Sequence, residues 1–263
     1  MSRDGGHVLV ELLVASVCAA LVGAAALTLL LNGATASARV RERMYGAALA
    51  RACRDALLTN LQQALDGLEG ADTVYRAGLA RHRVEPRGDG LVLLQPLEKS
   101  AEIAVDDDGR YRLPSTRALG AFLPGALVAA LPATDGNTVL GEVIAVETSS
   151  AGTRLSVSWA AADIGRLAEP VRALAPARWR EFAFVAGERG VDLRRRDAGG
   201  YWQPVANGLA AVELVYASDR DGDDVADTPF VPWDQAVPPV RGVRVTCRGN
   251  NARGVAAGWA SKR

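Results

Sequence analysis

The chain has 263 residues, 49% hydrophobic and 23% charged, with 30 basic and 30 acidic side chains. That length supports one large domain or two small ones with a real core. The zero net charge argues against a broad electrostatic footprint for nucleic acid. Two histidines and three cysteines exclude most metal sites built on those side chains.

The first element in chain order is residues 12–31, LLVASVCAALVGAAALTLLL, which carry no charge and no proline. A helix of that length rises about 30 Å, the thickness of a bilayer's hydrocarbon core. HVLVE lies just before it, with Glu11 between Val10 and Leu12, and a polar leader, MSRDGG, precedes that. A carboxylate at the edge of a membrane helix is costly and calls for a partner. Three readings compete. A cleaved secretory signal would use Ala34-Thr35-Ala36 as its small-residue site. The apolar run, however, exceeds the usual span of about 7–15 residues, and Glu11 is out of place in it. A plain membrane anchor accommodates the run and leaves Glu11 incidental.

The third reading rests on Gly6-His7-Val8-Leu9-Val10-Glu11-Leu12-Leu13-Val14-Ala15. This stretch resembles the class III signal of type IV pilins and pseudopilins. The resemblance implies that a prepilin peptidase cuts after Gly6, that His7 becomes a methylated amino terminus, and that Glu11 is the fifth mature residue. The family usually has Phe or another apolar residue at the first mature position, where this chain has His7. Substitutions there are tolerated, so cleavage is expected. Asp4 beside Arg3 weakens the positive charge of the leader. The resemblance also gives Glu11 a role in assembly register: the α-amino group of an incoming subunit would neutralise it within lipid. Charge asymmetry runs the other way. Arg39, Arg41 and Arg43 follow the apolar run and only Arg3 precedes it, which by the positive-inside tendency holds the following domain in the cytoplasm. The pilin reading requires export, and long domains translocate with little regard to charge.

The first proline is Pro86, so nothing interrupts a helix from His7 to about Asp66, roughly 90 Å long. Beyond the membrane segment, Val40, Met44, Ala47, Leu49, Ala52, Leu57, Leu58, Leu61 and Leu65 form an apolar stripe at helical period. Gly67 and Gly70 are plausible stops. The alternative is a break at Asn32-Gly33 followed by a separate amphipathic helix.

From residue 71 short apolar runs alternate with turn signals. Residues 91–94 read as a strand. Residues 102–105 and 110–113 flank Asp106-Asp107-Asp108-Gly109, and 139–148 and 154–159 flank Ser149-Ser150-Ala151-Gly152, two hairpin signals. Residues 182–185, 191–196 and 201–205 suggest a meander, a short helix is expected near 162–167, and 212–216 and 240–247 suggest two further strands. Residues 249–263 are polar and Gly-rich, and are expected to fray.

Residues 219–227 read DRDGDDVAD. Asp219, Asp221, Asp223 and Asp227 fall at positions 1, 3, 5 and 9 of a calcium-loop pattern, and the carbonyl of Val225 at position 7 adds an oxygen. Two features depart from an EF-hand: Asp224 stands where the glycine belongs, and Phe230 replaces the bidentate glutamate. A solvated Asp-Gly turn accounts for the same residues, so Ca²⁺ is a candidate cofactor only. The strand Val212-Glu213-Leu214-Val215-Tyr216 before this loop, and Trp233 and Val240-Arg241-Gly242-Val243-Arg244-Val245 after it, resemble the carboxyl-terminal half of PilW-type minor pilins. GspJ-type pseudopilins share the plan.

No G-x-S-x-G, HExxH, P-loop or GxGxxG occurs, and His82 is the only internal histidine, so no enzyme activity is expected. Cys53 and Cys247 are a candidate disulfide if both are extracytoplasmic, or else two buried thiols. Arg172, Arg178, Arg180, Arg194, Arg195 and Arg196, near Trp179 and Trp202, form a local basic bias that a charged strand face explains without nucleic acid.

The expected fold is α+β, a long amino-terminal helix packed on an antiparallel sheet domain. Its parts are a leader at 1–6, a membrane and assembly helix at 7–31, an amphipathic continuation at 32–68, a β-rich domain at 69–248 and a flexible tail at 249–263. The resemblance implies a PilW-like minor pilin that spans the bacterial inner membrane once and helps initiate or cap a pilus. Its partners would be prepilin peptidase, other minor pilins, the major pilin and the inner-membrane assembly platform. A GspJ-like pseudopilin of a secretion system is the nearest alternative. A membrane-anchored calcium-binding or enzymatic domain is the alternative from another class.

Overall fold

A computed structural model describes residues 5–66, 68, 73–87, 90–97, 101–105, 110–113, 121–133, 137–149, 152–167, 171–219, 226–236, 239–249 and 254–262. Helix α1 (Gly5–Asp66) is a single uninterrupted element of 62 residues, about 93 Å long. Asn32 and Gly33 do not break it. Its two parts have different surroundings. From Val10 to Tyr45 every residue is exposed, and from Gly46 one side is buried. The buried seam is Gly46, Ala50, Cys53, Leu57, Asn60, Leu61, Ala64 and Leu65, a spacing of threes and fours that keeps one face on the sheet. This agrees with the expected stripe at Leu57, Leu61 and Leu65 and differs from it nearer the amino terminus. Val40, Met44 and Ala52 are exposed, and smaller residues, Gly46 and Ala50, take the seam because the helix lies close to the strands there.

Among the described residues fifteen strands join one sheet. They are β1 (Thr73–Arg76), β2 (Leu79–His82), β3 (Val84–Pro86), β4 (Gly90–Pro96), β5 (Ala101–Glu102), β6 (Ala104–Val105), β7 (Tyr111–Leu113), β8 (Leu127–Pro132), β9 (Thr138–Ser149), β10 (Gly152–Ser158), β11 (Val171–Gly187), β12 (Gly190–Asp197), β13 (Gln203–Ser218), β14 (Val240–Gly249) and β15 (Val255–Ser261). A four-residue helix, α2 (Ala161–Ile164), follows β10, near its expected place. The main path runs β15-β14-β13-β12-β11-β8-β9-β10-β7-β6, and its pairings are antiparallel. β1 departs from the rule, pairing with β9 in parallel at Val74↔Thr138.

β11 is the spine. Its first half pairs with β8 and β5, and its second half with β12 and β4. Both expected hairpins form, β6–β7 and β9–β10. The expected strand at 182–185 is the end of this much longer one, which passes through Pro176 opposite Val128. Opposite faces of β11 feed different clusters, as the alternation of a strand requires. Ala173, Ala175 and Ala177 pack with Leu68, Val74, Leu94, Leu131 and Leu140. Leu174 packs with Tyr111, Leu113, Phe122 and Leu155. Phe182 belongs to the largest cluster, formed between the α1 seam and Leu91, Leu93, Leu193, Leu209, Val243 and Val245.

Two expectations are corrected. The run at 203–205 and that at 212–216 are parts of one strand, β13, which carries a bulge at Asn207-Gly208. Gly208 sits at φ 73° and its amide donates to Asp192 Oδ1 at 2.9 Å, so the spare backbone donor stays satisfied. Residues 249–263 are not a frayed tail over 255–261. β15 pairs with β14 from Arg248↔Val255 to Gly242↔Ser261, and Ala256 and Ala260 are buried in the α1 cluster. The glycines that make the segment read as loop serve close approach instead. A Cβ on Gly249 would sit 2.5 Å from the Gly46 carbonyl oxygen, and one on Gly258 would meet Leu58 Cδ1.

Candidate functional site

The most unusual surface is the uncovered half of α1. Leu12 is 67%, Leu21 66% and Leu30 71% exposed, on a segment long and apolar enough to cross a membrane. Such a surface is unstable in water and calls for lipid or other helices as its surroundings. Glu11 lies on this exposed part, so its carboxylate has space for a partner from another molecule. Gly6 and His7 fall on the first helical turns, and their side-chain surroundings lie outside the described residues.

The other half of α1 is fixed to the sheet by a polar network that the sequence does not announce. Arg180 is buried on β11 and faces the helix. Its Nη1 donates to Asn60 Oδ1 of α1 at 2.7 Å, and its Nε and Nη2 donate to the Asp197 carboxylate of β12 at 2.7 and 3.2 Å. Gln95 of β4 adds a bond from Nε2 to the Asn60 carbonyl at 2.7 Å. Four elements therefore meet at Asn60. The Arg180 guanidinium holds the Asp197 carboxyl below the usual carboxylate range, opposed by partial burial. Burial, then the neighbouring Arg180 charge, lowers Arg178. Nearby, Cys53 Sγ of α1 and Cys247 Sγ of β14 face one another at 2.7 Å, both fully buried. The hydrogen bond between them, then burial, pushes the Cys53 thiol well up.

Part of the basic bias of β11 and β12 is taken up by ion pairs, across the strands for Arg178, Arg180 and Arg196 and within β12 for Arg194. Arg196 lies opposite Glu181 and bonds it at 2.6 Å from Nη2, with its guanidinium 4.5 Å over the Trp202 ring. Arg194 Nη2 is 3.7 Å from Asp192 Oδ2. A cleft of about 360 Å³ beside them is lined by Arg87, Val92, Glu181, Phe184, Arg196 and Trp202. The one carboxylate among its described lining residues, Glu181, is paired with Arg196 at 2.6 Å and lies 3.7 Å from Arg87. His82 ends β2, and its amide donates to Glu85 Oε1 at 2.8 Å.

The acidic loop is only partly placed. Asp221, Asp223 and Val225 lie outside the described residues. Asp219 accepts from Arg241 Nε at 3.3 Å, and both side chains are almost fully buried, at 4% and 5% exposure. Asp227 is held through its backbone amide, which donates to the Ser218 carbonyl at 2.9 Å. No group of three or more metal-binding side chains forms among the described residues. The ion pair assigns Asp219 a structural partner, so a calcium shell that included it would share the carboxylate with Arg241.

Thus the seam from Gly46 to Leu65 and the uncovered segment are one helix with two environments. The first was partly expected; the Asn60–Arg180–Asp197–Gln95 network was missed. Its one sequence signal is an amide inside each of two apolar runs, Asn60 in LLTNLQQAL and Gln95 in LVLLQP. Comparison of the chain with protein-family models, with curated proteins and with solved structures returned no match.

Proposed function

We propose that this chain is a non-enzymatic minor pilin of the PilW type, held in the inner membrane by the first part of α1 and incorporated into a filament through the same surface. The observation that carries this reading is the continuity of α1 across its two environments. A cleavable export signal would have no reason to continue as the same rigid rod into a sheet domain. A passive anchor would not need a rod, because a flexible linker serves it equally. A polymerising subunit needs both: an apolar surface that exchanges lipid for neighbouring helices, and a rigid joint that fixes where its globular domain then sits.

Glu11 supplies register in this account. Its carboxylate is too costly to leave unpaired in hydrocarbon, so helix packing is favoured at the offset where a neighbour's α-amino group, at His7 after cleavage, reaches it. Wrong offsets leave one buried charge of each sign. The reading extends to processing after Gly6 by prepilin peptidase, methylation of His7 and residence in a pilus or at its tip.

Glu11→Ala tests the register role. The variant is expected to be processed normally and recovered in the membrane, but depleted from sheared filaments by about tenfold or more, as loss of a desolvated charge pair implies. Glu11→Ala present in filaments at the wild-type level would refute the role.

A further inference from the structure

We infer that Cys53 and Cys247 are joined by a disulfide in the mature, exported protein, covalently fastening α1 to β14. Both side chains are fully buried and point at each other across the helix–sheet seam, with Sγ atoms 2.7 Å apart. Their positions are determined by more than this contact. Cys53 lies between Ala50 and Leu57 on the buried face of α1. Cys247 is held in register on both sides, opposite Val212 of β13 and Ala256 of β15. Two residues further on, Gly249 brings the β14 backbone against Gly46 of the helix. Two buried cysteines whose Sγ atoms already meet at a close crossing of helix and strand are placed for the bond without a large movement of either element.

The third cysteine does not compete. Cys18 lies on the exposed apolar part of α1, about 52 Å along the helix from Cys53. The inference rests on the proposed export of the β domain, because a thiol pair in the cytoplasm is kept reduced.

The bond forms by two exchanges with an external disulfide, either a dithiol oxidoreductase in its oxidised form or a small-molecule disulfide. One cysteine thiolate attacks one sulfur of that disulfide, forming a mixed disulfide and expelling the other sulfur as a thiolate. The second cysteine thiolate attacks the protein sulfur of the mixed disulfide and expels the other thiolate. The chain loses two electrons and two protons, and the oxidant leaves as two thiols. In the closed seam both thiols are fully buried, out of reach of an external disulfide. Oxidation therefore precedes closure of the seam, as the chain folds on the far side of the membrane. The product closes a loop over nearly the whole β domain, so pulling on the helix cannot peel it from the sheet without breaking a covalent bond.

The full-length protein, purified in detergent from membranes, is unfolded and alkylated without reductant, digested and mapped. The expected result is a peptide linking Cys53 to Cys247, with only Cys18 alkylated. In a second arm the protein is reduced, unfolded and refolded in a buffer of reduced and oxidised glutathione, and the same linked peptide is expected. Alkylation of both Cys53 and Cys247 in the refolded sample overturns the pairing. A link in the refolded sample but not in the isolated one upholds the pairing and overturns the export on which the proposed function depends. As a control, reductant should lower the melting temperature of the wild type to that of a Cys53→Ala, Cys247→Ala double variant and leave the variant unmoved. Equal melting temperatures for all samples would also overturn the inference.

Discussion

Leu57 and Leu30 lie on one continuous helix and differ only in what surrounds them. Leu57 is fully buried in the seam against the sheet, and Leu30 is 71% exposed. Truncation of Leu57 to alanine removes transfer energy and leaves a cavity where helix, β3, β4 and the β13–β15 strands pack, at a cost of about 2–5 kcal/mol. For a domain of this size that lowers the melting temperature by about 4–20 °C. Leu30→Ala removes the same atoms from a side chain with no partner in the isolated subunit, so the domain should melt within about 1 °C of wild type. Tryptophan fluorescence separates the two parts of the molecule, because all five tryptophans lie at or beyond Trp159. The signal therefore reports the sheet domain alone, in the full-length chain in detergent. Equal shifts for the two variants, or no shift for Leu57→Ala, would refute the division of α1 into a docked and an undocked half.

Asp197 has a lowered folded pKa, so its contribution is present above the ordinary carboxylate value near pH 4 and is lost as pH falls through the folded value. Asp197→Asn should therefore be destabilised at pH 7, with the gap to wild type closing as acid is added below about pH 4; a gap independent of pH in urea titrations contradicts the ion-pair account. Arg241→Met leaves the Asp219 carboxylate buried without its guanidinium and should cost about 3–5 kcal/mol in the same titrations. A loss below about 1 kcal/mol would mean that Asp219 is solvated or otherwise neutralised.

Local signals in the sequence accounted for local structure. The absence of proline before Pro86 allowed α1 to run unbroken, with a break at Asn32-Gly33 as the alternative, and the glycine signal at Gly67 placed its end, because only an interruption of the hydrogen-bond ladder or a cap stops so apolar a segment. Turn residues specified the β6–β7 and β9–β10 hairpins for the same reason. Features decided by contacts between distant segments were not legible. The runs at 201–205 and 212–216 read as two strands until the partner strand shows that Asn207-Gly208 between them is a bulge opposite Asp192. Gly254 and Gly258 read as a loose tail, yet β15 needs small residues because α1 lies across it. The amphipathic stripe was legible at Leu57, Leu61 and Leu65 but not before them. Large apolar residues such as Met44 mark a face, but the closest part of the seam needed Gly46 and Ala50. Arg180, from a stretch that suggested a charged surface, points inward, because Asn60 and Asp197 supply its hydrogen bonds there.

In the proposed function, α1 follows a prepilin leader and becomes an assembly surface once that leader is removed. The intact mass of the full-length protein, isolated from membranes that contain the peptidase, tests it most directly. The account predicts loss of residues 1–6 and gain of one methyl group, with His7 as the modified amino terminus. Loss of residues 1–36, or an uncut chain, would contradict it.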